Sequence, residues 1–196
     1  MRKSVGIALF ASFVLAVPMA ANASLTGQLI SGTLSTNQGP ISNQFVSPVV
    51  VGAGPEFVGE FTDVFNQVWD YTVDIGANTI TVGITSPSNP DYGNLGSSPL
   101  VDISLTGFTG LGAMNLISYN CVSAGLSCSA FGPGPSVARL SSDASSFSVG
   151  YDVVRSGETY VFGAVPEPGA WALMIAGFGL IAVVAQRRRS ALAHAV

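Results

Sequence analysis

Trp69-Asp-Tyr-Thr-Val-Asp-Ile-Gly-Ala-Asn-Thr-Ile-Thr-Val-Gly-Ile-Thr85 decides the fold class. Trp69, Tyr71, Val73 and Ile75 alternate with Asp70, Thr72 and Asp74, while Ile80, Val82 and Ile84 alternate with Thr79, Thr81, Gly83 and Thr85. Successive side chains of a strand point to opposite faces, so this period of two means one buried face and one wet face. Two such runs around Gly76-Ala77 predict a hairpin. A turn centred there sets Val73 opposite Ile80, Tyr71 opposite Val82 and Trp69 opposite Ile84, with every apolar partner on one face. A slip of one residue would turn them all to water.

The pattern recurs outward from that stretch. Phe147, Val149, Tyr151 and Val153 alternate, Ser156-Gly157 offers a turn, and Tyr160, Phe162 and Ala164 return. The hairpin expected here sets Val153 against Tyr160, Tyr151 against Phe162 and Val149 against Ala164. Val101-Asp-Ile-Ser-Leu105 reads as a half-buried strand, and Gly107 before Phe108 suggests a bulge. Leu25 to Ser31, Phe45 to Val51, Glu56 to Thr62 and Met114 to Val122 are further strand candidates. No helical stripe or fixed-period repeat interrupts them. Short strands separated by Gly, Pro, Asn and Ser predict an all-β fold, an antiparallel β-sandwich of jelly-roll-like type. Ser86 to Pro99 and Phe131 to Pro135 read as polar loops, the places where compact domains often bind.

Both ends of the chain are of another kind. Arg2 and Lys3, the apolar run Val5 to Val17, and Ala21-Asn22-Ala23 before Ser24 make residues 1–23 a secretory signal, cut after Ala23 by signal peptidase. At the other end, Pro166, Glu167, Pro168 and Trp171 lead into an uncharged apolar run that stops at Arg187, Arg188 and Arg189. As a helix, residues 169–186 would be about 27 Å long, enough to cross a bilayer core of roughly 30 Å. The arginines then lie on the cytoplasmic side, with residues 190–196 as a short tail, and the body at 24–165 faces outward.

Pro166, Glu167, Pro168, Trp171, Ala172, the Met174-Ile-Ala-Gly-Phe-Gly-Leu180 core and the triple Arg resemble a PEP-CTERM sorting domain, in the variant continuing into Trp-Ala. The same domain is sometimes labelled the C-terminal domain of ice-binding proteins. The resemblance covers about 25 residues, and Leu173 and the tail Ser190 to Val196 depart from it. It implies a Gram-negative host, membrane insertion, and cutting near the Pro-Glu-Pro by an exosortase-type membrane protease. It also implies delivery of the body to the outer surface or extracellular matrix, where exopolysaccharide is a candidate partner.

Composition narrows the chemistry of the body. It holds ten acidic residues against Arg139 and Arg155, a net of −8, which cannot neutralise a phosphate backbone, so nucleic-acid binding is excluded. His194 is the sole histidine and lies beyond the arginines, so the body has no Ser-His-Asp or Cys-His catalysis and no His-ligated metal. Carboxylates scattered along wet strand faces read as solvated surface, and no enzyme is expected. A glycan-active enzyme using paired acids is the alternative. Asn89, Asp91 and Asn94 offer hard oxygen ligands that would suit Ca²⁺, though turn propensity alone explains them and no other cofactor is expected. Cys121 and Cys128 are the only cysteines of an exported chain. A turn at Ala124-Gly125 would set them opposite each other as a disulfide contributing roughly 2–3 kcal/mol. The expected function is a non-enzymatic envelope or biofilm-matrix protein, adhesive or carbohydrate-binding.

Overall fold

The structure is a computed structural model and describes residues 24–87, 93–95, 100–122, 134–164 and 175–181. By compactness the chain divides into Asn22–Val165 and a second unit made of Met1–Ala21 with Pro166–Val196.

The first unit is built from strands alone among its described residues. In chain order they are β1 (Leu29–Thr36), β2 (Ile41–Asn43), β3 (Val49–Val50), β4 (Phe57–Thr62), β5 (Val68–Ile75), β6 (Thr79–Thr85), β7 (Gly93–Leu95), β8 (Val101–Thr106), β9 (Met114–Cys121), β10 (Val137–Ser142), β11 (Ser146–Tyr151), β12 (Val153–Arg155) and β13 (Glu158–Ala164). One sheet has five strands in the order β10-β11-β8-β1-β3, the other six in the order β2-β4-β5-β6-β13-β9, and β12 pairs with β7 apart from both. Every pairing is antiparallel. The consecutive strands β4, β5 and β6 are neighbours in one sheet, an up-and-down run. Two antiparallel sheets over one core bear out the all-β reading of the sequence.

Alternation sorts the residues as the sequence predicts. Trp69, Tyr71, Val73, Ile75, Ile80, Val82 and Ile84 are fully buried, and Val101, Ile103, Leu105, Phe147, Val149, Tyr151, Tyr160 and Phe162 join them in one core. Burying each such side chain contributes roughly 1.5–3 kcal/mol. The two sheets close on each other tightly. A Cβ on Gly59 of β4 would stand 2.6 Å from the Phe45 ring and 2.8 Å from Leu34 of β1, so only glycine leaves room there.

Pairing departs from expectation in two places. Ile75 lies opposite Ile80, Val73 opposite Val82 and Tyr71 opposite Ile84, so the β5–β6 hairpin is slipped by two residues from the register set out above. The loop is one Gly76-to-Thr79 turn closed by the Gly76 amide donating to the Thr79 carbonyl at 2.9 Å. A slip of two keeps every side chain on its face, which is why alternation could not detect it. The second departure is larger. Phe147 to Tyr151 form no hairpin with Tyr160 to Ala164; β11 pairs with β8 and β10, whereas β13 pairs with β6 and β9 in the other sheet. The chain crosses between sheets through β12. Residues of the two runs meet instead through the core, the Tyr151 and Tyr160 rings lying tilted with centroids 4.8 Å apart.

The bulge after β8 forms as expected. Gly107 takes φ +101°, and the amides of Gly107 and Phe108 both donate to the Ser145 carbonyl, at 3.1 and 3.2 Å. Of the strand candidates, Glu56 to Thr62 and Met114 to Val122 become β4 and β9 almost residue for residue, while Leu25 to Ser31 is displaced into β1 and Phe45 to Val51 shrinks to β3.

The spanning helix expected over 169–186 is not supported. Residues 175–181 are helical and mostly exposed, and that stretch is about 10 Å long, a third of a bilayer core. No helix among the described residues is long and apolar enough to cross a membrane, and the rest of 169–186 lies outside those residues.

Candidate functional site

The body has two dissimilar ends. The Leu25 amide donates to Ala77 at 3.0 Å and the Ala164 amide to Asn78 at 3.5 Å, so both chain ends of the body meet the β5–β6 turn. The opposite end gathers the β4–β5 turn, the β12–β13 turn and the chain leaving β6 and β9. Asp63, Ser86, Arg155, Ser156 and Glu158, the buried polar residues among those described, all stand at this far pole. Polar groups leave water only where hydrogen bonds replace it, so each marks a built arrangement.

Asp63 organises the β4–β5 turn. Its Oδ1 accepts the amides of Phe65 and Gln67 at 2.8 and 2.9 Å, and its Oδ2 accepts the Trp69 indole Nε1–H at 3.0 Å. The Asn66 amide closes the turn onto the Asp63 carbonyl at 3.0 Å, with Asn66 at φ +61°, a conformation asparagine tolerates. The result is a stiff tip that holds Val64 and Phe65 out in solvent, 69% and 61% exposed.

The β12–β13 turn carries the only buried ion pair among the described residues. Arg155 Nη1 donates to Glu158 Oε1 at 2.7 Å, with the two side chains 3% and 0% exposed. The Arg155 amide donates to Glu158 Oε2 at 2.9 Å, and the Tyr119 hydroxyl to Oε1 at 2.9 Å. Arg155 Nη1 also reaches the Gly134 carbonyl at 3.1 Å and the Tyr119 oxygen at 3.3 Å. Below the turn, the Ser86 amide donates to Ser156 Oγ at 3.0 Å and the Ser86 hydroxyl to the Val68 carbonyl at 2.8 Å. The ion pair ties β9, β12, β13 and the start of the approach to β10 together. Burial, with Glu158 next, pushes the Tyr119 phenol up to about 12. A carboxylate so enclosed is a clamp, since a general base must reach the proton it takes.

The remaining acids are spread over both sheets. Glu60 and Asp70 lie directly opposite on β4 and β5, and Asp70 is raised from its ordinary value by burial first and then by Glu60. Asp102 is bound to Arg139 at 2.6 Å on the five-stranded sheet, and Asp143 caps the β10–β11 turn through Ser145 and Ser146. Among the described residues no group of three or more His, Cys, Asp or Glu could hold a metal ion. Of the calcium candidates, Asn89 and Asp91 lie outside the described residues, and Asn94 is placed only by its backbone, opposite Val154.

Ser24 is exposed at the start of the described body, its carbonyl accepting the Gln28 amide side chain at 3.0 Å. Ala21, Ala23, Pro166, Glu167, Pro168, Trp171 and Arg187, Arg188 and Arg189 lie outside the described residues. Cys121 ends β9 and is disulfide-bonded; Cys128, the other cysteine of the sequence, lies outside them as well. Sequence reasoning missed Asp63 and the Arg155–Glu158 clamp. The available signal was an opposite-charge pair three residues apart astride Ser156-Gly157, using one of two bases in the whole body.

Fold and site define an all-β body of two facing antiparallel sheets, with a fastened polar pole opposite its chain ends. The chain carries a PEP-CTERM protein-sorting motif: the family of that description matches residues 164–189, beginning on the last residue of β13. The motif implies export, exosortase processing and membrane-associated sorting to the cell surface. No curated protein and no solved structure matches the chain.

Proposed function

We propose that the protein is a surface-delivered envelope or matrix component without enzymatic activity, adhesive or carbohydrate-binding, whose far pole is the end presented to partners. The observation that carries this reading is where the motif starts. It begins at Ala164, beside Asn78, at the end of the body that also holds Leu25. Within the body, the Asp63 turn and the Arg155–Glu158 clamp lie at the pole opposite the one where the chain leaves β13 for the motif. The apolar run that follows acts as a membrane segment until an exosortase-type protease cuts near Pro166-Glu167-Pro168 and frees the body for the surface.

Intact mass of the protein from cells with an exosortase tests the delivery. The expected wild-type product has lost everything after the Pro-Glu-Pro region, and replacing Pro166, Glu167 and Pro168 by Ala leaves the longer precursor. Equal masses, or a body retained in the cytosol, would refute it. A second reading, a glycan-active enzyme, draws on the facing Glu60 and Asp70. Release of reducing sugar, abolished by Glu60→Gln or Asp70→Asn, would favour it over a binding role.

A further inference from the structure

Four of the five tyrosines surround Glu158, and two of them, Tyr71 and Tyr151, end in buried hydroxyls that no described residue satisfies. Tyr71 of β5 and Tyr160 of β13 come from the six-stranded sheet, and Tyr151 of β11 comes from the sheet facing it. Tyr71 shares a cross-strand row with Ile84 and Glu158. The Tyr160 ring lies 4.8 Å from that of Tyr151 and 5.1 Å from that of Tyr119, so phenols from both sheets meet in the interlayer space. All three are fully buried; among the described residues the hydroxyls of Tyr71 and Tyr151 have no hydrogen-bond partner, while that of Tyr160 lies within reach of Glu158 and the Ser136 backbone. Burial raises each phenol, and Glu158 with the neighbouring tyrosines raises it further, so the three sense one another and the same carboxylate.

An unpaired buried hydroxyl gives up its hydrogen bonds to water and gains none in return, a heavy cost against the small net stability of a folded domain. Phenylalanine would fill the same volume without that cost. A buried water resolves the conflict where a site offers two to four polar partners. We propose that the interlayer space between Tyr71, Tyr151 and Tyr160 is a binding site for buried water. At least one ordered water there accepts from and donates to the tyrosine hydroxyls and donates to Glu158 Oε2. Glu158 leaves room for it: Oε2 accepts the Arg155 amide and keeps a second lone pair. The water joins the two sheets beneath the clamp, where no described side chain reaches the Tyr71 and Tyr151 hydroxyls.

Water-to-ring cross-relaxation, measured by NMR on the full chain in detergent micelles, decides the matter without a variant. Long-lived water signals at the Tyr71 and Tyr151 ring protons are expected; their absence overturns the site. Tyr71→Phe and Tyr151→Phe give an independent sign. Removing a partner of a bound water lowers the unfolding midpoint, by roughly 2–6 °C. Removing a hydroxyl that bonds to nothing raises it or leaves it unchanged, and that result in both variants overturns the proposal.

Discussion

Phe147 and Phe162 stand edge to face with ring centroids 5.2 Å apart, and they belong to different sheets. Phe147 pairs along the ladder with Leu105 and Ser142, Phe162 with Ile80 and Leu116, so their contact is purely a packing contact through the core. Phe147→Ala or Phe162→Ala is expected to cost about 3–5 kcal/mol, with a coupling of about 0.5–1.5 kcal/mol in the double-mutant cycle. Urea unfolding followed by tryptophan fluorescence measures both. Strict additivity would mean the rings do not touch.

Breaking the Arg155–Glu158 clamp on one side leaves a buried charge without its counter-charge. Glu158→Gln or Arg155→Met is expected to destabilise by about 3–5 kcal/mol, and the double change to apolar residues to recover much of it. A double variant as weak as the sum of the singles would show that the pair's value lies in its other hydrogen bonds.

Asp63→Ala removes the acceptor of the Phe65 and Gln67 amides and of the Trp69 indole. A loss of at least about 2 kcal/mol is expected, with faster amide exchange confined at first to residues 63–67. Unchanged exchange there would mean that the turn holds its shape without the carboxylate.

Acid should act in opposite senses at two carboxylates. The Ser145 amide above all, with the Ser145 and Ser146 hydroxyls and the Ser146 amide, holds Asp143 at about 2. Its folded value lies below the unfolded one, so its contribution is complete above about pH 4 and lost as pH falls towards 2. Asp70 is raised by burial and by Glu60, so its contribution is complete below the unfolded value and lost as pH rises through the folded one. Melting profiles against pH should therefore flatten between 4 and 2 for Asp143→Asn. Asp70→Asn should melt higher than wild type at neutral pH and no higher in acid. Parallel curves for wild type and either variant would count against the assignment.

The cysteines give a chemical check. Non-reducing mass spectrometry is expected to find the mature protein two protons lighter than its reduced form, and Cys121→Ser to cost roughly 2–3 kcal/mol. Two titratable thiols in the folded protein would contradict the bonded state of Cys121.

The far pole shows where reading residues in order runs out. Asp63 and Trp69 lie six positions apart and could have been guessed as a local turn. Ser86 and Ser156 are 70 positions apart, and nothing along the chain announces that one amide will find the other's hydroxyl. Buried polar groups carry no periodicity; they become visible only when distant strands close over them.

Sequence alone determined that the body is all β, which face each strong strand buries, where the bulge after β8 falls, and that the C-terminal segment is a sorting motif. All four are local, because a strand's two faces follow from the pleat and a motif is a run of neighbours. Tertiary structure decided which strand lies beside which: the two-residue slip between Val73 and Val82, and the passage of Phe147 and Phe162 into opposite sheets. Partners one even step away, or across the core, satisfy the same alternation equally well. Only the simultaneous packing of both sheets distinguishes them.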